Sequence, residues 1–168
     1  MWRVQVTFSS YDPRKIIRST IGTTGYTDDD DTYYYLSVTD DVSDTVKVPI
    51  YLGEEVKSGS LPNMPYITFR SMTTRYDVGD VAGRIYEHYA YIDAMVEFTD
   101  MENIDRTSFG KKIIDELVDK VRTYQSIITG VQFLDIIGVR QFDVPYGHQV
   151  VYTYVVELRA WYNDACDV

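Results

Sequence analysis

Tyr86-Glu87-His88-Tyr89-Ala90-Tyr91-Ile92-Asp93-Ala94-Met95-Val96-Glu97-Phe98 is the stretch on which the fold turns. Tyr86, His88, Ala90, Ile92, Ala94, Val96 and Phe98 share one parity and are mostly apolar; Glu87, Tyr89, Tyr91, Asp93 and Glu97 share the other and are mostly polar. Successive side chains of a strand point to opposite faces, so the pattern predicts a strand from Ile85 to Thr99 with one side in a core. A helical period then takes over. Phe109, Ile113, Ile114, Leu117, Val118, Val121 and Tyr124 form one stripe, predicting an amphipathic helix from Arg106 to Tyr124. Opposite it, Lys111 with Asp115 and Glu116 with Lys120 stand at the i, i+4 spacing that modestly stabilises helices. Strands are predicted again over Val131–Arg140 and Gln149–Asn163. In the last, Val150, Tyr152, Tyr154, Val156, Leu158, Ala160 and Tyr162 are the expected buried face, opposed by Thr153, Glu157 and Arg159. Strands usually run five or six residues, so the longest of these are expected to extend past the domain body and meet a neighbour.

Working outward toward the N-terminus, Trp2–Phe8 reads as a short strand or extended arm. Asp12-Pro13 supplies an N-cap and a first-turn proline and Gly22 a stop, predicting a short helix over Arg14–Ile21. Gly22–Thr32 is rich in Gly, Thr and Asp and is expected to be a loop, part of an acidic insertion spanning residues 22–45. Tyr33–Val38 and Val46–Leu52 are predicted strands joined by an acidic turn. A polar connection over 53–63 leads to a strand at Pro65–Met72, and Thr73–Arg84 is expected to be a loop or flap. The expected class is α+β: one domain of 168 residues, with a mainly antiparallel sheet, one main helix and a short N-terminal helix.

Net charge is −10, from 26 acidic and 16 basic residues. Such a chain is unsuited to nonspecific nucleic-acid binding, which needs positive charge to displace counterions from phosphates. It suits a surface past which DNA slides. The 16 tyrosines fit strands and also subunit contacts, since each ring is large and rigid with a polar tip. Cys166 is the single cysteine, which excludes an intramolecular disulfide and a cysteine zinc site. No apolar run has the length of a membrane span and the first residues do not read as a signal peptide, so a protein made in the cytoplasm is expected.

Residues with chemistry are few. Asp28, Asp29, Asp30 and Asp31 lack the spaced ligands and glycine turn of a calcium loop, and read as solvated charge. With Asp40, Asp41 and Asp44 they make seven aspartates over 28–44 without a Lys or Arg. His88 falls on the apolar side of its strand and His148 in a turn, neither with a sequence elbow for a nucleophile. Asp93 and Glu97 share a strand face as paired carboxylates would, though such positions more often carry ordinary surface charge. Glycine-rich phosphate loops are absent. The reading therefore assigns no catalytic residue, no cofactor and no metal. Arg14, Lys15 and Arg18 form the basic cluster of the N-terminal helix, a candidate to dock an acidic neighbour.

Leu61-Pro62, Pro65-Tyr66-Ile67, the strand Tyr91-Ile92-Asp93-Ala94-Met95-Val96, the helix Lys112-Ile113-Ile114-Asp115-Glu116-Leu117-Val118, and Gly147-His148-Gln149 leading into Val156-Glu157-Leu158-Arg159-Ala160-Trp161-Tyr162 follow one another in that order. Over roughly residues 45–163 this order resembles the tail terminator (tail completion) proteins of tailed bacteriophages and archaeal tailed viruses. The resemblance implies a structural virion protein and no enzyme: a ring, commonly a homohexamer, at the head-proximal end of the tail tube. Its partners would be further copies of itself, the tail tube protein and the neck or connector protein. DNA would cross the lumen without specific binding and no membrane would be involved. The virion would be its place, after assembly in the host cytoplasm. On that reading Arg14, Lys15, Arg18, Tyr33, Tyr34 and Tyr35 are subunit-interface candidates, and Asp28–Asp31, Asp40, Asp41 and Asp44 are candidates for the lumen or rim. The alternatives are another neck, head-closure or tube ring component, or a cellular α+β adaptor domain.

Overall fold

The computed structural model describes residues 12–39, 43–56, 62–78, 85–98, 106–125, 133–146 and 149–162. In chain order they form α1 (Pro13–Ile21), β1 (Thr23–Asp28), β2 (Asp31–Thr39), β3 (Thr45–Leu52), a short 3-10 turn (Gly53–Glu55), β4 (Tyr66–Val78), β5 (Ile85–Phe98), α2 (Arg106–Tyr124), β6 (Phe133–Tyr146) and β7 (Gln149–Tyr162). The seven strands make one sheet in the order β1-β2-β3-β4-β5-β7-β6. Neighbours run antiparallel except β3 and β4, which pair in parallel through Ile50–Leu52 and Ile67–Phe69. The class is α+β, with a mainly antiparallel sheet and two helices.

Both helices pack on one face of the sheet. The Asp12 side chain accepts the Arg14 backbone N–H at 3.0 Å and Pro13 opens α1, so the helix begins where its free donors are capped. Ile17 and Ile21 turn inward. From α2, Phe109, Ile113, Ile114, Leu117 and Val121 are buried against Ile92, Ala94, Val96 and Phe98 of β5 and Val156, Leu158 and Ala160 of β7. Together with Leu36, Val38, Val48, Ile50, Leu52, Ile67 and Phe69 they form one continuous core.

Three expectations change. Gly22–Thr32 is not a loop: β1 and β2 form a hairpin through Asp29 and Asp30, whose φ angles are 45° and 69°. Tight hairpin turns need left-handed backbone, which aspartate tolerates better than most residues, so a run that reads as solvated charge here makes a turn. Within the 22–45 segment, β1 is accordingly the outermost of the described strands and β2 its neighbour, with Gly25 at φ 121° in a bulge between Thr24 and Tyr26. Second, Thr73–Val78 continues β4, paired from Thr73↔Tyr91 to Val78↔Ile85, in place of a flap. Third, β6 runs on to Tyr146, and β7 is buried on both sides: Val151, Thr153 and Val155 are buried as fully as Val156 and Leu158, while Tyr152 and Tyr154 are half-buried. The expected arm Trp2–Phe8, together with Asp40, Asp41, His148 and Cys166, lies outside the described residues.

Candidate interaction surfaces

Among the described residues no helix packs on the second face of the sheet, and its character changes along the strands. At one end it is aromatic. Tyr33 and Tyr51 meet edge to face at 4.7 Å between centroids, and Tyr51 meets Tyr66 at 6.0 Å. Tyr51 donates its hydroxyl to Asp28 at 2.9 Å. Burial, then the Asp28 carboxylate, pushes the Tyr51 phenol far above its usual range; burial and Glu97 do the same to Tyr66. Neither ring ionises at any ordinary pH. Tyr66, Glu97, Thr153 and Phe142 face one another across four strands, with Thr68, Met95, Val155 and Arg140 in the next row.

Further along, the same face becomes charged. Asp93 stands directly opposite Glu157, a like-charge pair that would cost stability if left alone. Arg140 from β6 lies 2.9 Å from Glu157 and 3.9 Å from Asp93, answering both. Gly138, opposite Glu157, leaves the space its carboxylate occupies: a Cβ there would lie 3.3 Å from Oε2. Arg159 holds Asp135 at 2.9 Å and Arg70 approaches Glu97 at 3.6 Å. The carboxylates Asp93 and Glu97 thus each face an arginine, and their shared strand face reflects cross-strand ion pairing.

The basic cluster is engaged within the chain. Arg14 pairs with Asp12 at 2.8 Å and makes two bonds of 3.0 Å to Glu54; Arg18 pairs with Glu55 at 2.6 Å and lies 5.6 Å from the Tyr34 ring centroid. Lys15 is exposed. Glu54 and Glu55, some forty residues away, carry no local signal of this role. Tyr34 faces the helices, whereas Tyr33 and Tyr35 face the other way, with Lys47 4.8 Å from the Tyr35 ring. The aspartates are also divided. Asp28–Asp31 sit at one end of β2 and Asp44 beyond the other, about 27 Å away at the strand rise of 3.3–3.4 Å per residue.

Among the described residues β6 is an edge strand, with β7 on one side and no strand on the other. Phe133, Ile137, Val139 and Phe142 are 36%, 50%, 49% and 41% exposed, large values for side chains of this kind grouped on one strand. A register shift between Ile136 and Gly138 breaks the alternation; the Ile136-Ile137-Gly138 run was the available sequence signal. A cleft of about 300 Å³ is lined by Arg18, Asp31, Thr32, Tyr33, Tyr34 and Glu55. Its charged, open lining differs from the mostly apolar lining of small-molecule sites. Among the described residues no group of three or more His, Cys, Asp and Glu side chains is placed to hold a metal ion, and no helix is long and apolar enough to cross a membrane. No protein-family model matches the chain, and comparison with curated proteins returns no match.

Proposed function

We propose that this chain is a structural ring subunit of a viral tail, closing the head-proximal end of the tail tube and joining it to the neck while DNA passes through. The order of motifs over residues 45–163 supports the reading from the sequence. The observation on the molecule that carries it is strand β6: fourteen residues at the edge of the sheet that the described strands form, with Phe133, Ile137, Val139 and Phe142 exposed. An edge of this length and apolarity is a template for pairing, which isolated proteins blunt or cover. In a homohexameric ring each copy would offer that edge to the next, since heterologous contacts that close generate rings. Tail tube protein and neck protein would take the two faces of the ring. A net charge of −10 on each of six copies makes the assembly repel phosphates, so DNA would slide through without adhering.

The test is the native mass of the purified chain, alone and with tail tubes. A six-fold species, or one formed on tube ends, supports the reading. Monomers under both conditions, as for an adaptor domain, or a two-fold dimer, overturn it.

A further inference from the structure

At the other end of the order of described strands, Tyr26 stands directly across from Tyr33, and Tyr35 lies across from Thr23 on the same face. All three residues are half-buried, so part of each stays accessible to solvent. Two neighbouring rings already hold cations of this chain: Lys47 lies over Tyr35 and Arg18 over Tyr34. Asp28–Asp31 border Tyr26 and Tyr33, and residues 26–44 contain no Lys or Arg. The nearby Arg14 and Arg18 are committed to Asp12, Glu54 and Glu55. Asp29 and Asp30, at the exposed turn, add negative charge at the end of the hairpin that carries the half-buried Tyr26 and Tyr33. Burial and the nearby carboxylates raise the Tyr26 and Tyr33 phenols, which keeps both rings neutral.

We propose that this tyrosine face, with the aspartate turn beside it, is a docking surface for an arginine- or lysine-bearing segment of a partner protein. The cation would lie over Tyr26 and Tyr33 and pair with Asp29 and Asp30. Aromatic faces attract cations through the ring quadrupole, and complementary charge selects and steers a partner. Tyrosine is enriched at protein interfaces for the same combination of rigid ring and polar tip. Nucleic acid is repelled from such a surface, so the partner is a basic protein segment. The surface is separate from β6 and serves whether or not the chain closes into a ring.

Calorimetric titration of the full chain at low salt with an arginine-containing Gly/Ser peptide tests this, with a glutamate-substituted peptide as control. The arginine peptide should bind and the glutamate peptide should not. Tyr26→Leu should weaken binding by about tenfold, within the range cation–π contacts supply. Asp29→Asn with Asp30→Asn, which suits the left-handed turn and preserves the hairpin, should weaken it about threefold and flatten its salt dependence. Asp115→Asn with Asp119→Asn, on α2, should leave it unchanged. Equal losses in the α2 pair would reveal diffuse charge attraction and overturn the site. Absence of binding at low salt would overturn it too, as would equal affinity for single-stranded DNA.

Discussion

Gly110 stands in the second turn of α2 because a side chain there has no room. A Cβ would run into the ring of Phe98, which is 2% exposed and stacked on Tyr152 and Tyr154 at 5.5 and 5.7 Å. Gly110→Ala should therefore lose about 1–3 kcal/mol through overpacking, outweighing the roughly 1 kcal/mol that alanine gains as a helix former. Urea unfolding reads the balance; a gain in stability would mean the ring moves aside freely. Arg140 is the residue on which Asp93 and Glu157 both depend. Because Arg140 is 57% exposed, Arg140→Ala should cost about 0.5–1 kcal/mol, more at low salt, and Glu157→Gln should recover part of it. A double-mutant cycle with no coupling would remove the bridge from the account. Neither role is visible locally: Phe98 lies twelve positions before Gly110, and Arg140 meets Asp93 only because β7 brings β6 near β5.

At the scale of elements, α1 was the easiest to read, since its cap, its first-turn proline and its stop are neighbours in sequence. Its charges make a pH prediction. Burial alone would raise the Asp12 pKa, but the hydrogen bonds and charge of Arg14, with Lys15 behind them, outweigh it and hold the carboxyl below its ordinary value. A depressed folded pKa means stabilisation that is present above the unfolded value near 4 and lost as pH falls through the folded one. Asp12→Ser keeps a cap yet should flatten the decline of stability below about pH 4, whereas Asp12→Ala should also cost about 1 kcal/mol at neutral pH. Denaturant midpoints across a pH series check both; identical acid limbs for Asp12→Ser and the unmodified chain would refute the assignment. The β1–β2 hairpin was harder to read. Its turn is made by Asp29 and Asp30 where Asn-Gly is the familiar signal, and its first strand is mostly Thr and Gly, so composition spoke for a loop.

For the whole molecule, the exposed edge is the decisive feature. Val139→Lys with Phe142→Lys should leave the fold intact, because both positions are more than 40% exposed, and should hold the chain monomeric if β6 is the subunit contact. Circular dichroism and native mass together read the outcome; an unchanged assembly would move the contact elsewhere. The sequence by itself determined the α+β class, the strands around residues 90–98 and 150–162, and the α2 residues Phe109, Ile113, Leu117 and Val121 that the core buries. Those follow from periods of two and 3.6, which belong to a single element and need no partner. Only the tertiary structure decided that β3 and β4 run parallel, that β7 lies between β5 and β6, that Arg14 and Arg18 meet Glu54 and Glu55, and that Thr68 and Thr153 are buried on the second face. A local pattern tells which way a side chain points, whereas what it meets is set by contacts between residues distant along the chain.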